Sequence, residues 1–164
     1  MLRRCLIALA LVSSPALARD SLGMFGAWGA FSDPVGSGGP RCYAIAMAAP
    51  STLKRDYQPF AAVGIWPRQN VRGQAHFRLS RKLQPNTPIT LIMSGQRYQL
   101  VGGGGDAWAA DKRMDAAIVA AMRSAGEMTV SARGADGRGF TNTWSLAGAA
   151  TAMDAAAVGC ARLR

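Results

Sequence analysis

The stretch "SLAGAATAMDAAAVGC", Ser145 to Cys160, consists almost entirely of small residues and ends on a cysteine. Its alanines predict an α-helix that follows Gly148 and covers residues 148–160. Such a helix packs closely but buries little apolar area, so it needs a further restraint on the rest of the fold. One face at helical spacing is predicted to hold the thiol and the core residues: Leu146, Ala150, Met153, Ala157 and Cys160.

The N-terminus, "MLRRCLIALALVSSPALA", has the pattern of a secretory signal. Arg3 and Arg4 precede an apolar core that is too short to span a bilayer, and Pro15 precedes the small-x-small site at 16–18. We therefore expect a signal peptide over residues 1–18, cleavage near Ala18, and a location in the periplasm or at the outer membrane, or secretion. The alternative is an uncleaved anchor or a core helix.

Removal of this leader, which contains Cys5, leaves Cys42 and Cys160. Two cysteines in an oxidising compartment most simply form a disulfide bond. Closing a loop of this length stabilises a protein by about 4–5 kcal/mol in the chain-entropy model, before any native strain is subtracted. The alternative is a buried free thiol at one or both positions. The bond would tie the C-terminal helix to the early part of the fold.

The residues before the first helix predict about five strands. The clearest is "QAHFRLSRK" (74–82), where Ala75, Phe77 and Leu79 alternate with polar residues. Other strands are predicted at 24–31, 41–49 and 60–66, and a hairpin turns at Ser94-Gly95, followed by a glycine-rich exit at 102–105. "EMTVSAR" and "GFTNTWSL" predict a last pair of strands.

A first helix is predicted to begin after Asp111, a suitable N-cap, and to stop at Gly126. Its apolar stripe is Met114, Ala117, Ile118, Ala121 and Met122. The sequence therefore predicts a single α+β domain over residues 19–164. It would be a mainly antiparallel β sheet or sandwich with two α-helices packed on it, around 111–125 and 148–160, and one disulfide.

The chain is basic, with a formal net charge of +10. The expected leader holds two of the 19 Lys and Arg residues, which leaves 17 against 9 acidic residues and a net charge of +8. A basic exported protein meets anionic surfaces such as lipopolysaccharide or peptidoglycan, and nucleic acid is not expected there. The candidate anion-binding residues are Arg68, Arg72, Arg78, Lys82 and Arg97. The alternative is a solvated face that keeps the sheet soluble.

The residues that could carry chemistry do not form a recognisable catalytic or metal-binding pattern. The glycines at 102–105 lack the Gly-Lys-Ser/Thr of a phosphate loop. His76 is the single histidine, and Ser80 on its strand would be too distant to serve as a nucleophile. We expect no enzymatic activity, no metal and no cofactor, although a pair of carboxylates could still meet in space.

Trp28, Trp66, Trp108 and Trp144 are candidates either for the core or for stacking on a ligand. Three of them lie in apolar strands, which favours the core. Trp108 lies in the polar segment "GGGGDAWAAD" and is the tryptophan most free to face a ligand.

The C-terminal half, "MDAAIVAAMRSAGEMTVSARGADGRGFTNTWSLAGAATAMDAAAVGC", resembles the invasion-associated locus B family of exported bacterial proteins. Ser145, Leu146, Gly148 and Cys160 carry the last part of this resemblance, and Trp28 in "FGAWGAF" matches the first strand. The chain has no cysteine at 30–34, where relatives often carry one. The resemblance implies a role in host-cell entry or colonisation and transfers no catalytic residue.

The leading hypothesis is therefore a non-enzymatic binding or envelope-accessory protein that engages an anionic envelope component. A second hypothesis is a structural module that binds a host or envelope protein through an exposed sheet edge or the Trp108 loop. A cell-wall hydrolase is the third. We expect no transmembrane span in the exported chain.

Overall fold

The computed structural model describes residues 19–33 and 39–163, so the predicted signal peptide lies outside the described residues. The described residues form ten strands, two α-helices and a short 3-10 helix at Pro67–Gln69. The strands are β1 (Asp20–Phe25), β2 (Trp28–Asp33), β3 (Arg41–Met47), β4 (Phe60–Trp66), β5 (Val71–Arg78), β6 (Ile89–Met93), β7 (Gln96–Gly103), β8 (Asp106–Trp108), β9 (Glu127–Arg133) and β10 (Gly139–Ser145). The helices are α1 (Lys112–Met122) and α2 (Ala149–Ala161).

The strands join into one antiparallel sheet of order β1-β2-β3-β4-β5-β8-β7-β6-β9-β10. β7 pairs with two strands along different parts of its length: residues 96–100 pair with β6, and residues 101–103 pair with β8. Strands five places apart in a flat sheet would be about 24 Å from each other. Phe77 in β5 nevertheless contacts Trp144 in β10, with ring centroids 6.0 Å apart. The sheet therefore folds over at β7 into a first half (β1–β5 and β8) and a second half (β6, β9 and β10).

The inner face of the first half is lined by small residues. On β3, Cys42, Ala44 and Ala46 are buried, whereas Tyr43 and Ile45 on the opposite face are only half-buried, as the alternation predicts. α2 lies on β1–β4 and buries five side chains, of which all but Met153 are small: Ala149, Ala152, Met153, Ala156 and Cys160. Alanine loses no side-chain entropy on burial, which favours this close contact although little apolar area is gained.

The predicted disulfide is confirmed. Cys42 in β3 is bonded to Cys160 near the end of α2, with Cα atoms 5.6 Å apart and a sequence separation of 118 residues. Both residues are buried, between the helix and the sheet. The bond therefore fastens the last helix to the third strand of the sheet.

The α+β fold with two helices, an antiparallel sheet and one disulfide is confirmed. The Asp111 carboxylate accepts a hydrogen bond from the Met114 N–H (2.8 Å), so the predicted N-cap is correct. Ser94 and Gly95 both have positive φ, as a two-residue hairpin turn requires. Neither described helix has the length and hydropathy needed to cross a membrane.

The number of strands was underestimated. Residues 24–31 form the end of β1, a turn at Gly26-Ala27 and the start of β2, rather than one strand. Gly26 has a φ of 58°, which allows the tight turn. The glycine-rich exit is also a hairpin, in which β7 continues to Gly103 and turns into β8. Gly102 must lack a side chain because a Cβ would overlap the Asp106 carbonyl.

The fourth predicted strand, 74–82, begins earlier and ends earlier than expected, at Val71–Arg78. Ser80 was assigned to its polar face but is buried. The Ser80 N–H donates to the Asn142 side chain (2.9 Å), and its carbonyl accepts from the Asp56 N–H (2.8 Å). Ser80 therefore joins three segments of the fold instead of facing solvent.

The predicted helix faces were partly wrong. In α1, Ile118 and Met122 are buried as expected, but Ala117 is exposed, and the helix ends at Met122 before Gly126. In α2, Ala157 is exposed and Ala150 is only half-buried. A helix that is small and apolar on every side has no contrast from which its buried face can be chosen.

Replacement of both bonded cysteines, Cys42→Ala with Cys160→Ala, should lower the free energy of unfolding by about 2–5 kcal/mol, because the unfolded chain regains the freedom of a long loop. Urea denaturation measures this loss. Wild-type protein treated with a reductant is the control and should lose a similar amount. An unchanged urea midpoint in the double variant would show that the bond does not restrain the fold.

Gly148→Ala should destabilise the protein by at least about 2 kcal/mol, because Gly148 has a φ of 88° and an added Cβ would overlap the Phe25 carbonyl. Gly126→Ala is the matched control, since a Cβ there meets nothing within 4 Å and its φ is not in the left-handed range. Thermal unfolding of the two variants should therefore differ clearly. Equal melting temperatures would contradict this prediction.

Candidate functional site

The outer face of the first half-sheet is the face turned away from α2 and from the second half-sheet. Seven positions form a row across it, each the direct cross-strand neighbour of the next: Met24, Gly29, Ile45, Ala62, His76, Trp108 and Val101. A parallel row holds Met47, Phe60, Arg78 and Asp106. Together these two rows make up most of the outer face.

The outer face is unusually apolar. An antiparallel sheet with one packed face normally presents polar side chains on the other. Here Met24 is 67% exposed, Val101 51% and Met47 49%, and half-buried aromatic residues lie between them. On β3 the small residues Cys42, Ala44 and Ala46 lie on the inner face, so the larger Tyr43 and Ile45 lie outside. Exposed apolar side chains that flank half-buried aromatic ones on one face of a sheet indicate an interaction site.

The polar groups of the outer face are bonded to one another. Asp106 in β8 lies beside β5 and accepts a hydrogen bond from His76 Nε2 (2.9 Å) at one oxygen. Its other oxygen forms an ion pair with Arg78. All three side chains are between one fifth and one third exposed. This mutual pairing leaves the centre of the face with little unbalanced charge.

Aromatic rings enclose this cluster. The His76 ring stacks on Trp108 with centroids 5.1 Å apart and an interplanar angle of 6°, and Phe60 meets it edge-on at 5.3 Å. The Arg78 guanidinium lies 3.9 Å from the centroid of the Tyr57 ring, a cation–π distance. The cluster is therefore held in one arrangement by contacts on several sides, as a binding surface requires.

One end of the face is also aromatic. Phe31 and Tyr43 are cross-strand neighbours with ring centroids 5.8 Å apart. Burial raises the pKa of the Tyr43 hydroxyl, and the nearby Asp33 carboxylate adds to the effect. Asp33 is itself bonded to Arg41 (2.7 Å).

The five predicted anion-binding residues lie on different elements. Arg68 is in the 3-10 helix, Arg72 and Arg78 are in β5, Lys82 follows that strand, and Arg97 is in β7. Arg78 is neutralised by Asp106, whereas the other four are exposed. Anion binding by these residues stays a prediction.

Arg72 lines a groove of about 660 Å³ between β5 and α1, together with Lys112 and Arg123. β8 pairs only with residues 76–78 of β5, so the earlier residues of this strand lie beside α1 instead. The Asp115 carboxylate takes the place of a neighbouring strand by accepting the Ala75 N–H (2.8 Å). Burial raises the pKa of Asp115 above its ordinary value.

Trp28 and Trp144 are fully buried, as expected of core residues. Trp66 was also expected in the core but is only half-buried, because its ring lies over the side of β4 left open by Gly64. Trp108 is half-buried on the outer face. Sequence reasoning did not single out Asp106 or Tyr57. The alternation of Asp106, Ala107 and Trp108 would have placed the carboxylate beside the tryptophan, whereas nothing in the sequence marks Tyr57.

The chemistry available at the face is limited. Within residues 19–33 and 39–163, no hydroxyl or thiol is hydrogen-bonded to His76, and no group of three or more potential metal ligands occurs. The arrangement suits recognition through aromatic and apolar contact, with His76, Arg78 and Asp106 setting its shape.

No protein-family model matches the chain, and a search of curated proteins found no match either. Among solved structures, the crystal structure of invasion associated protein B from Bartonella henselae is similar, with a TM-score of 0.57 and 15% sequence identity. The match covers 85% of this chain and 97% of that one. At this identity the likeness shows a shared fold.

Asp115 allows a test of the contact between β5 and α1. Asp115→Ala should lower the free energy of unfolding by about 1–3 kcal/mol, because the Ala75 N–H loses its acceptor. Asp115→Asn keeps an acceptor and removes a charge that burial disfavours, so it should not lower stability at neutral pH. Urea denaturation compares the two variants with the wild type.

The pH dependence has a definite sign. The pKa of Asp115 is higher in the folded protein than in the unfolded chain, so the folded wild type binds a proton more readily. The contribution of Asp115 to stability therefore falls as pH rises from the unfolded pKa to the folded pKa. The stability of Asp115→Asn relative to wild type should therefore increase across that interval and then level off. A decrease would contradict the assignment.

Proposed function

We propose that this protein is a non-enzymatic accessory protein of the bacterial envelope that binds a partner protein on its outer face. The observation that carries the proposal is the row from Met24 to Val101, which is apolar except for His76 and whose two ends are exposed where a solvated sheet would be polar. Aromatic residues and methionine are favoured at the centres of protein interfaces. His76, Arg78 and Asp106 can be covered at low cost because they already satisfy one another.

Export to the periplasm or outer membrane after cleavage near Ala18 is part of this proposal. The Cys42–Cys160 disulfide supports it, because such bonds persist in oxidising compartments. The shared fold with invasion associated protein B supports a related accessory role, and the resemblance to the invasion-associated locus B family extends this to assistance in host interaction. The proposal assigns no catalytic residue.

A second candidate function is the binding of an anionic envelope component such as lipopolysaccharide or peptidoglycan. The observation that favours it is the groove lined by Arg72, Lys112 and Arg123 beside the Asp115 carboxylate, in which Arg123 is paired with Asp154 and the other two cations are exposed. Binding there would be electrostatic and would weaken with ionic strength. Binding at the outer face would persist in salt, because the contact is mainly apolar.

Val101→Lys should reduce capture of the partner from an envelope extract about tenfold or more, since it places a charge in the apolar row. Quantitative mass spectrometry of material retained at 0.5 M salt by immobilised protein measures the change. The matched control is Val158→Lys on α2, because Val158 is 57% exposed and lies away from the face. This control should retain the partner as the wild type does.

Two results would overturn the outer-face proposal. Equal losses in the two lysine variants would show that the capture depends on general surface properties. Capture that disappears in salt, tolerates Val101→Lys and is lost in Arg72→Gln would assign the binding to the groove of the second candidate.

A further inference from the structure

A second, smaller pocket lies between the segment 51–55, residues 80–81 and the beginning of β10. Its volume is about 200 Å³, and its lining includes four cations, Lys54, Arg55, Arg81 and Arg138, together with the hydroxyl residues Ser51 and Thr141. We call this set of residues the basic pocket. None of its four cations belongs to the outer face or to the groove beside α1.

Arg81 is occupied by structural contacts. Its guanidinium bonds Asp136 (2.9 Å) and Asp56 (3.3 Å), and so joins the segment before β4 to the β9–β10 turn. A hydrogen bond from the Lys82 N–H lowers the pKa of Asp56, and one from the Arg138 N–H lowers that of Asp136. Both acids are therefore ionised at neutral pH and are held by Arg81 and by backbone N–H groups.

The other three cations leave the pocket with more positive than negative charge. Lys54, Arg55 and Arg138 form no ion pair within the described parts of the chain. The Arg55 Nε is buried and has no hydrogen-bond partner there, and its Nη2 makes only a long contact (3.4 Å) with the Ala49 carbonyl. An Nε atom closed to solvent is also out of reach of a ligand, so a ligand in the pocket would meet the Arg55 guanidinium through its Nη atoms.

A wider groove adjoins the basic pocket. This groove has a volume of about 540 Å³ and shares Ser51, Leu53 and Thr141 with the pocket. The rest of its lining is uncharged and includes the exposed Thr52, whereas the Asn142 side chain is buried and accepts the Ser80 N–H. The charged pocket thus lies beside a neutral groove that carries hydroxyl groups.

We propose that the basic pocket binds the phosphate or sulfate group of a monosaccharide ester, with the sugar lying in the adjoining groove. Arg55 and Arg138 supply guanidinium donors suited to a tetrahedral oxyanion, and Lys54 adds a flexible charge at the rim. The hydroxyl side chains of Ser51, Thr52 and Thr141 in the groove can hydrogen-bond the hydroxyls of a sugar. The site is separate from the outer face, so either proposal can fail without the other.

Isothermal titration calorimetry at low salt tests the proposal with four probes: glucose 6-phosphate, glucose 6-sulfate, inorganic phosphate and glucose. Glucose 6-phosphate or glucose 6-sulfate should bind more tightly than inorganic phosphate, and glucose should bind weakest. The preferred ester identifies which oxyanion the pocket selects. Arg55→Gln and Arg138→Gln should each weaken ester binding about tenfold, the loss expected for one charge-assisted hydrogen bond.

Arg113→Gln is the matched control, because it removes the same charge from an exposed position on α1 outside the basic pocket. It should bind the esters as the wild type does, and so should Val101→Lys. Equal weakening in Arg113→Gln would overturn the proposal in favour of general attraction to a basic protein. Ester binding no tighter than that of glucose would also overturn it. If Arg55→Gln does not fold, Lys54→Gln at the exposed rim provides the same comparison.

Discussion

The close contact between α2 and the alanine-lined inner face of β2–β4 is the constraint on which the rest of the structure depends. Ala44, Ala46 and Ala61 on the sheet face a helix whose buried residues are also mostly alanine. Small side chains on both surfaces let the helix lie close to the strands. Each contact buries little area, so the covalent bond between Cys42 and Cys160 adds the restraint that apolar burial alone does not supply.

This packing decides where the large side chains lie. With Cys42, Ala44 and Ala46 of β3 on the inner face, Tyr43 and Ile45 project from the outer face, and so does Phe60 of β4. His76 and Arg78 both bond the Asp106 carboxylate there, so the centre of the face carries little net charge. The alternation that places small residues beneath the helix thus places larger apolar residues on the opposite side of the sheet.

The positive charge of the chain is distributed apart from this surface. Arg78 is paired within the face, whereas the groove beside α1 and the basic pocket each collect several cations. Two glycines of the run at 102–105 have a steric explanation: a Cβ at Gly102 would meet the Asp106 carbonyl, and a Cβ at Gly105 would meet the Tyr57 ring. These glycines let β8 and Tyr57 approach the cluster, so they serve the site through packing.

The sequence by itself determined the fold class, the Asp111 cap and the sides of β3, because each follows from local periodicity. It also predicted the Cys42–Cys160 disulfide, since these two cysteines remain when the expected leader with Cys5 is set aside. Only the tertiary structure decided the buried face of α2, the strand at Asp106 and the Arg78–Asp106 pair. A uniformly small helix has no preferred side, and a three-residue strand gives too short a pattern to detect. Salt bridges and pockets bring together residues that are distant in the chain, and their formation depends on how the sheet folds over at β7.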